Sequence, residues 1–140
     1  MTTAMPLNAA LTVRLRDGRA LGYAEYGDPA GKPVFFFHGF PGSRLEAAIG
    51  HEAAVKHGGR LISIDRPGYG LSDFQPGRTF LDWPEDVTDL AAALGIDRFG
   101  VAGISGGGPY VAVCAYAIPQ RLTGAYIISG AGTRRGSAAW

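Results

Sequence analysis

The feature that most constrains this chain is a repeated alternation of short apolar runs with longer segments of helical spacing. Val34-Phe35-Phe36-Phe37, Leu61-Ile62-Ser63-Ile64 and residues 99–104 are apolar almost throughout, the pattern of strands covered on both faces. Between the first two, Ser43 stands three residues before Glu46, the spacing of a capping box. It opens a helix that carries Ala47, Ala48 and Ala54 and stops near Gly58-Gly59. A second helix takes Asp82 as its cap, places Val87, Leu90, Ala91 and Leu94 on one face, and ends at Gly95. A third runs from Gly106 to about Ile118, with Pro109 in its first turn and Pro119 closing it, before a last strand over 125–129. Strands over 11–16 and 20–26 flank Asp17-Gly18, a tight-turn dipeptide, and form a leading antiparallel hairpin. The expected fold is α/β, a mostly parallel, doubly wound sheet behind that hairpin. The 140 residues make one domain, 1–140, and the tail over 133–140, with Arg134-Arg135, reads as solvated chain without pattern.

Composition removes several function classes. Thirteen Lys and Arg against twelve Asp and Glu give a net charge of +1 without a long like-charge run, so nucleic acid is not an expected partner. No apolar run approaches the roughly 20 residues of a membrane-spanning helix, and the start of the chain lacks a basic, apolar leader. The lone Cys114 has no disulfide partner, so a cytoplasmic, reducing setting is expected; its neighbours Tyr110, Val111, Val113 and Ile118 make it a small core residue. No metal cluster or cofactor motif is present. A nucleotide site fails as well: Ser105 occupies the second glycine position of a G-x-G-x-x-G pattern, and Gly31-Lys32 is followed by Pro33 and a strand.

Chemistry concentrates in loops that follow strands. Gly103-Ile104-Ser105-Gly106-Gly107 has the G-x-S-x-G form at a strand-to-helix junction, where a strained turn needs small residues two positions either side of the serine. Ser105 would project at the carboxyl edge of the sheet, and the following helix would aim its free N–H groups at the same place. His38-Gly39-Phe40-Pro41-Gly42-Ser43 follows the triple-phenylalanine strand at the same edge, so the two loops can converge. The amides of Phe40 and Gly106 could then pair as an oxyanion hole, with Pro41 unable to donate. A third segment, residues 65–73 (DRPGYGLSD), also follows a strand at that edge. His51 and His57 read as surface residues on or beside the first helix.

These three segments, in this order, resemble the α/β-hydrolase fold family over about residues 20–130. The resemblance implies that Ser105 is the catalytic nucleophile of a serine-type hydrolase of small ester-like substrates. It makes Phe40 and Gly106 the oxyanion donors, and His38 and Gly39 a supporting loop. It further implies that 65–73 underlies the elbow without taking part in catalysis, and that the Phe40-Pro41 bond is cis. One element of the pattern is missing. The family's acid and histidine follow the nucleophile, yet this sequence has no acidic residue after Asp97 and no histidine after His57. A serine without a base is a weak nucleophile, so this chain alone is expected to be inactive or weakly active, a truncated, amino-terminal half of such an enzyme. The alternative is a non-catalytic scaffold or binding protein that keeps the sheet. Ending at the strand over 125–129 would leave an apolar edge uncovered, which favours self-association.

Overall fold

The computed structural model describes residues 8–132 of the protein. The tail over 133–140, with the Arg134-Arg135 pair, lies outside the described residues. Six strands form one sheet: β1 (Asn8–Arg14), β2 (Ala20–Gly27), β3 (Lys32–Phe37), β4 (Gly59–Ile64), β5 (Phe99–Ile104) and β6 (Leu122–Ile128). Their order across the sheet is β1-β2-β4-β3-β5-β6. β1 pairs antiparallel with β2, and β2 antiparallel with β4, while β4, β3, β5 and β6 run parallel. The expected doubly wound sheet with a leading hairpin is the observed one. Strand edges shift where neighbours demand it: β1 begins at Asn8 because that residue pairs with Glu25, and β6 begins at Leu122 because that residue pairs with Phe99.

Among the described residues, three α-helices cover the two faces: α1 (His51–Lys56) on one, α2 (Trp83–Ala93) and α3 (Gly108–Ala117) on the other. The larger core lies under α2 and α3, where Phe35, Phe37, Ile62, Ile64, Val87, Leu90, Phe99, Val101 and Cys114 are buried. The opposite face is thinner, with Ala24, Tyr26 and Ala47 as its buried members. Small alanines there let the chain after β3 pass close to the sheet.

All three helix starts differ in detail from expectation. The segment after Ser43 is first a 3₁₀ helix, Arg44–Gly50, and only then α1. The Ser43–Glu46 capping box does not form, because Ser43 Oγ accepts from the Leu45 N–H and the Glu46 carboxylate goes to Gly39 instead. Asp82 stands at the N-cap position of α2 as expected but makes no side-chain capping bond into it; its carboxylate instead reaches back to accept the Thr79 N–H at 2.6 Å. Thr79 therefore starts the first, 3₁₀ turn, and α2 follows. The third helix likewise begins as a 3₁₀ turn, Ser105–Gly107, ahead of α3.

This topology decides where the loops meet. β3 lies between β4 and β5, so the chain leaves β3 to one side and later returns on the other. That reversal opens a crevice at the strands' carboxyl ends. Phe37 and Gly103 are register partners at the ends of β3 and β5, which puts the loop beginning at His38 beside the turn holding Ser105.

Candidate active site

Ser105 has φ +49°, left-handed backbone that a non-glycine residue adopts at a cost of about 1–3 kcal/mol. The flanking glycines show what holds it there. A Cβ on Gly103 would stand 2.6 Å from the Gly107 carbonyl oxygen and 2.8 Å from Val111 Cγ2, and one on Gly107 would run into the Phe37 carbonyl oxygen. Both lack side chains because α3 starts directly against β3 and β5. Ser105 is exposed, its carbonyl accepts the Ala131 N–H at 2.9 Å, and among the described residues no base accepts from its hydroxyl.

Phe40 and Gly106 come together as expected from the two loops. A Cβ on Gly106 would lie 3.3 Å from the Phe40 amide nitrogen and 3.7 Å from Arg66 Nη2, so the two backbones run side by side next to a guanidinium. The Phe40–Pro41 bond is cis. The loop before it is clamped at Gly39, whose N–H donates to Glu46 Oε2 at 2.7 Å and whose carbonyl accepts from Arg66 Nη2 at 2.9 Å.

His38 is fully buried, and both of its ring nitrogens are engaged. Nε2 accepts the Arg66 backbone N–H at 3.1 Å, which leaves the proton on Nδ1 to donate to the Gly39 carbonyl at 2.8 Å. Burial holds this imidazole below its ordinary pKa, with the Arg66 charge acting in the same direction. The ring is thus a neutral brace for the loop. His57 is exposed as expected, but His51 is a correction: it is half-buried, and its Nδ1 accepts the Gly27 N–H at 2.9 Å, tying α1 to β2. Cys114 is fully buried in the core as expected, and burial pushes its thiol up to about 12.

The segment 65–73 ties the neighbouring loops together. Asp65, fully buried, accepts from the Arg44 amide at 2.6 Å, Arg44 Nη1 at 2.9 Å and the Leu71 amide at 2.8 Å. Ser72 Oγ donates to the Asp65 carbonyl and accepts from Gly22. One carboxylate therefore fixes the loops after β3 and β4 to each other, and the serine fixes them to β2.

A cavity of about 470 Å³ opens over Ser105, walled by Phe40, Arg66, Tyr69, Arg78, Phe80, Gly106, Pro109, Tyr110 and Ala131. Trp83 packs edge-on against both Phe37 and Tyr110, which anchors the cavity floor to the core. Glu46, Arg66 and Arg78 were not singled out by sequence. Glu46 carried the spacing of a helix cap, and the arginines sit in loops whose direction only the sheet determines. Among the described residues no three His, Cys, Asp or Glu side chains converge to hold a metal ion. No helix among them is long and apolar enough to cross a membrane.

Residues 32–138 match the alpha/beta hydrolase fold family. The chain belongs to that family. A non-heme chloroperoxidase of Streptomyces lividans is 36% identical over 123 residues, covering 84% of this chain and 44% of that protein. A proline iminopeptidase of Xylella fastidiosa is 32% identical over 111 residues, 76% of this chain and 35% of that protein. Among solved structures, a hydrolase from Pseudomonas aeruginosa superposes with a TM-score of 0.74 at 26% identity, over 81% of this chain and 43% of that one. An epoxide hydrolase from Vigna radiata has a TM-score of 0.77 at 23% identity, over 93% and 42%, a likeness of fold alone. This alpha/beta hydrolase chain spans less than half the length of the curated relatives it matches.

Proposed function

We propose that the chain is the amino-terminal part of a serine-type hydrolase that cleaves an ester or related acyl bond through Ser105. The observation that carries this reading is the left-handed Ser105 at the end of β5, facing the Phe40 loop across an open cavity. In the proposed step Ser105 Oγ bonds to the acyl carbon as its proton passes to a base. The oxyanion faces the Phe40 and Gly106 amides, and the alkoxy leaving group departs with a proton as alcohol. Water then attacks the acyl-enzyme, releasing the acid and restoring the hydroxyl. The base is assigned to the length that relatives have beyond this chain, since both His38 nitrogens are engaged and, among the described residues, no imidazole or carboxylate lines the cavity. The buried, unpaired Cys114 supports action in the reducing cytoplasm.

That same lack of a base among the cavity residues favours the second reading, a scaffold that binds without catalysis. The two are separated on the protein as its source encodes it. A neutral fluorophosphonate should label Ser105, and Ser105→Ala should abolish both labelling and ester hydrolysis. An unlabelled, hydrolytically inert protein would remove the enzyme reading and leave the scaffold.

A further inference from the structure

The wall of the Ser105 cavity carries two guanidiniums, Arg66 and Arg78, and among its lining residues no carboxylate. Elsewhere the fold neutralises its shielded arginines: Arg19 holds Asp86 at 2.6 Å, Arg44 holds Asp65 at 2.9 Å and Arg60 holds Glu25 at 2.7 Å. Arg66 is treated differently. It is only 5% exposed, yet among the described residues no carboxylate lies within ion-pair distance of it. Its Nη2 donates to the Gly39 carbonyl, its face lies 4.9 Å from the Tyr69 ring and 4.8 Å from the Tyr110 ring, and its buried Nε has no partner. Asp65, next in the chain, is committed to Arg44 and Leu71, and Glu46 to the Gly39 amide. Arg78, half-buried in the cavity wall with its guanidinium 5.8 Å from the same Tyr110 ring, donates to the Tyr110 hydroxyl at 2.8 Å, and among the described residues it likewise has no carboxylate partner.

A desolvated cation is costly unless it is neutralised, and two aromatic faces offset only part of that cost. Both guanidiniums line the cavity. We propose that the cavity takes a carboxylate-bearing substrate, its anionic end held by Arg66 and Arg78 and its apolar body against Phe40, Phe80 and Tyr110. The inference deepens the hydrolase reading by naming a substrate class, since only that reading places an acyl carbon over Ser105. The charge complementarity itself does not depend on catalysis.

The test is calorimetric titration of the full 140-residue chain with phenylacetate and with its neutral counterpart phenylacetamide. Phenylacetate should bind about tenfold tighter, as charge-assisted hydrogen bonds imply. The preference should shrink as NaCl rises from about 0.05 to about 0.5 M. Arg78→Gln should remove most of it and Arg78→Lys retain it, with thermal unfolding of both variants recorded alongside. Equal affinity for the two probes, a preference that survives Arg78→Gln, or no binding of either at about 10 mM overturns the proposal. Ser105 labelling is scored separately, on the protein as its source encodes it. Preference without labelling removes the hydrolase reading and leaves the carboxylate site, whereas labelling without preference does the reverse.

Discussion

Replacing Glu46 by alanine isolates the clamp on the Phe40 loop. Gly39 is buried, and its N–H donates to Glu46 Oε2 at 2.7 Å. Truncation strands that donor. A hydrogen bond to a charged group contributes about 1.5–3 kcal/mol, and an orphaned buried amide costs a similar amount. For a domain of this size, that loss lowers the unfolding midpoint by about 6–12 °C. Glu46→Gln keeps an acceptor of the same reach but gives up its charge, so about half the loss should return. The assay is thermal and urea unfolding of the three proteins side by side, with the rate of fluorophosphonate labelling of Ser105, in the protein as its source encodes it, as a second readout. Because Gly39 precedes the Phe40 amide, labelling should slow in Glu46→Ala and recover in Glu46→Gln. A Glu46→Ala protein within about 0.5 kcal/mol of the parent, or a Gln variant no better than the Ala variant, would show that solvent replaces the carboxylate at Gly39.

Three further outcomes follow from particular residues. Gly107→Ala should cost about 3 kcal/mol, because the new methyl would run into the Phe37 carbonyl oxygen; an unfolding midpoint unchanged by the substitution contradicts the packing of α3 on β3. His38 is buried neutral with its pKa held below 6.5, so its contribution to stability is fully present above that value and falls as pH drops toward the lowered native pKa. The slope is at most about 1.4 kcal/mol per pH unit, and His38→Gln should flatten it in urea titrations between about pH 6.5 and 5; Asp86, raised by burial against its Arg19 partner, acts with the opposite sign and only in the carboxylate range. β6 is an edge strand with Tyr126 59%, Ile127 53% and Ile128 49% exposed, so the 140-residue chain should elute above monomer size on gel filtration and shift down in Ile127→Lys. A parent chain that elutes as a sharp monomer and unfolds cooperatively refutes this.

Most of the strand-helix order was legible in the sequence, because burial on both faces leaves an apolar run and helix ends leave glycine and proline. Gly103, Ser105 and Gly107 could be recognised together, since a left-handed serine turn pressed between a strand and a helix tolerates nothing larger at its flanks. Local pattern failed where a side chain had two possible partners. Glu46 has the spacing to cap its own helix and instead bonds Gly39, seven residues back, because the 3₁₀ start turns its carboxylate toward that loop. His51 sits in a helix of alanines and charges that reads as surface, yet β2 offers it the Gly27 amide.

The sequence by itself determined the class of sheet, the serine turn and the two loops able to meet it, since each depends on periodicity or on residues a few positions apart. The tertiary structure alone decided that β3 lies between β4 and β5, a placement that joins residues more than 60 positions apart at one edge. It also decided that Arg66 and Arg78 line the cavity with no carboxylate partner among the described residues. Charge balance around a buried group is a property of what surrounds it in three dimensions, and no window along the chain contains that information.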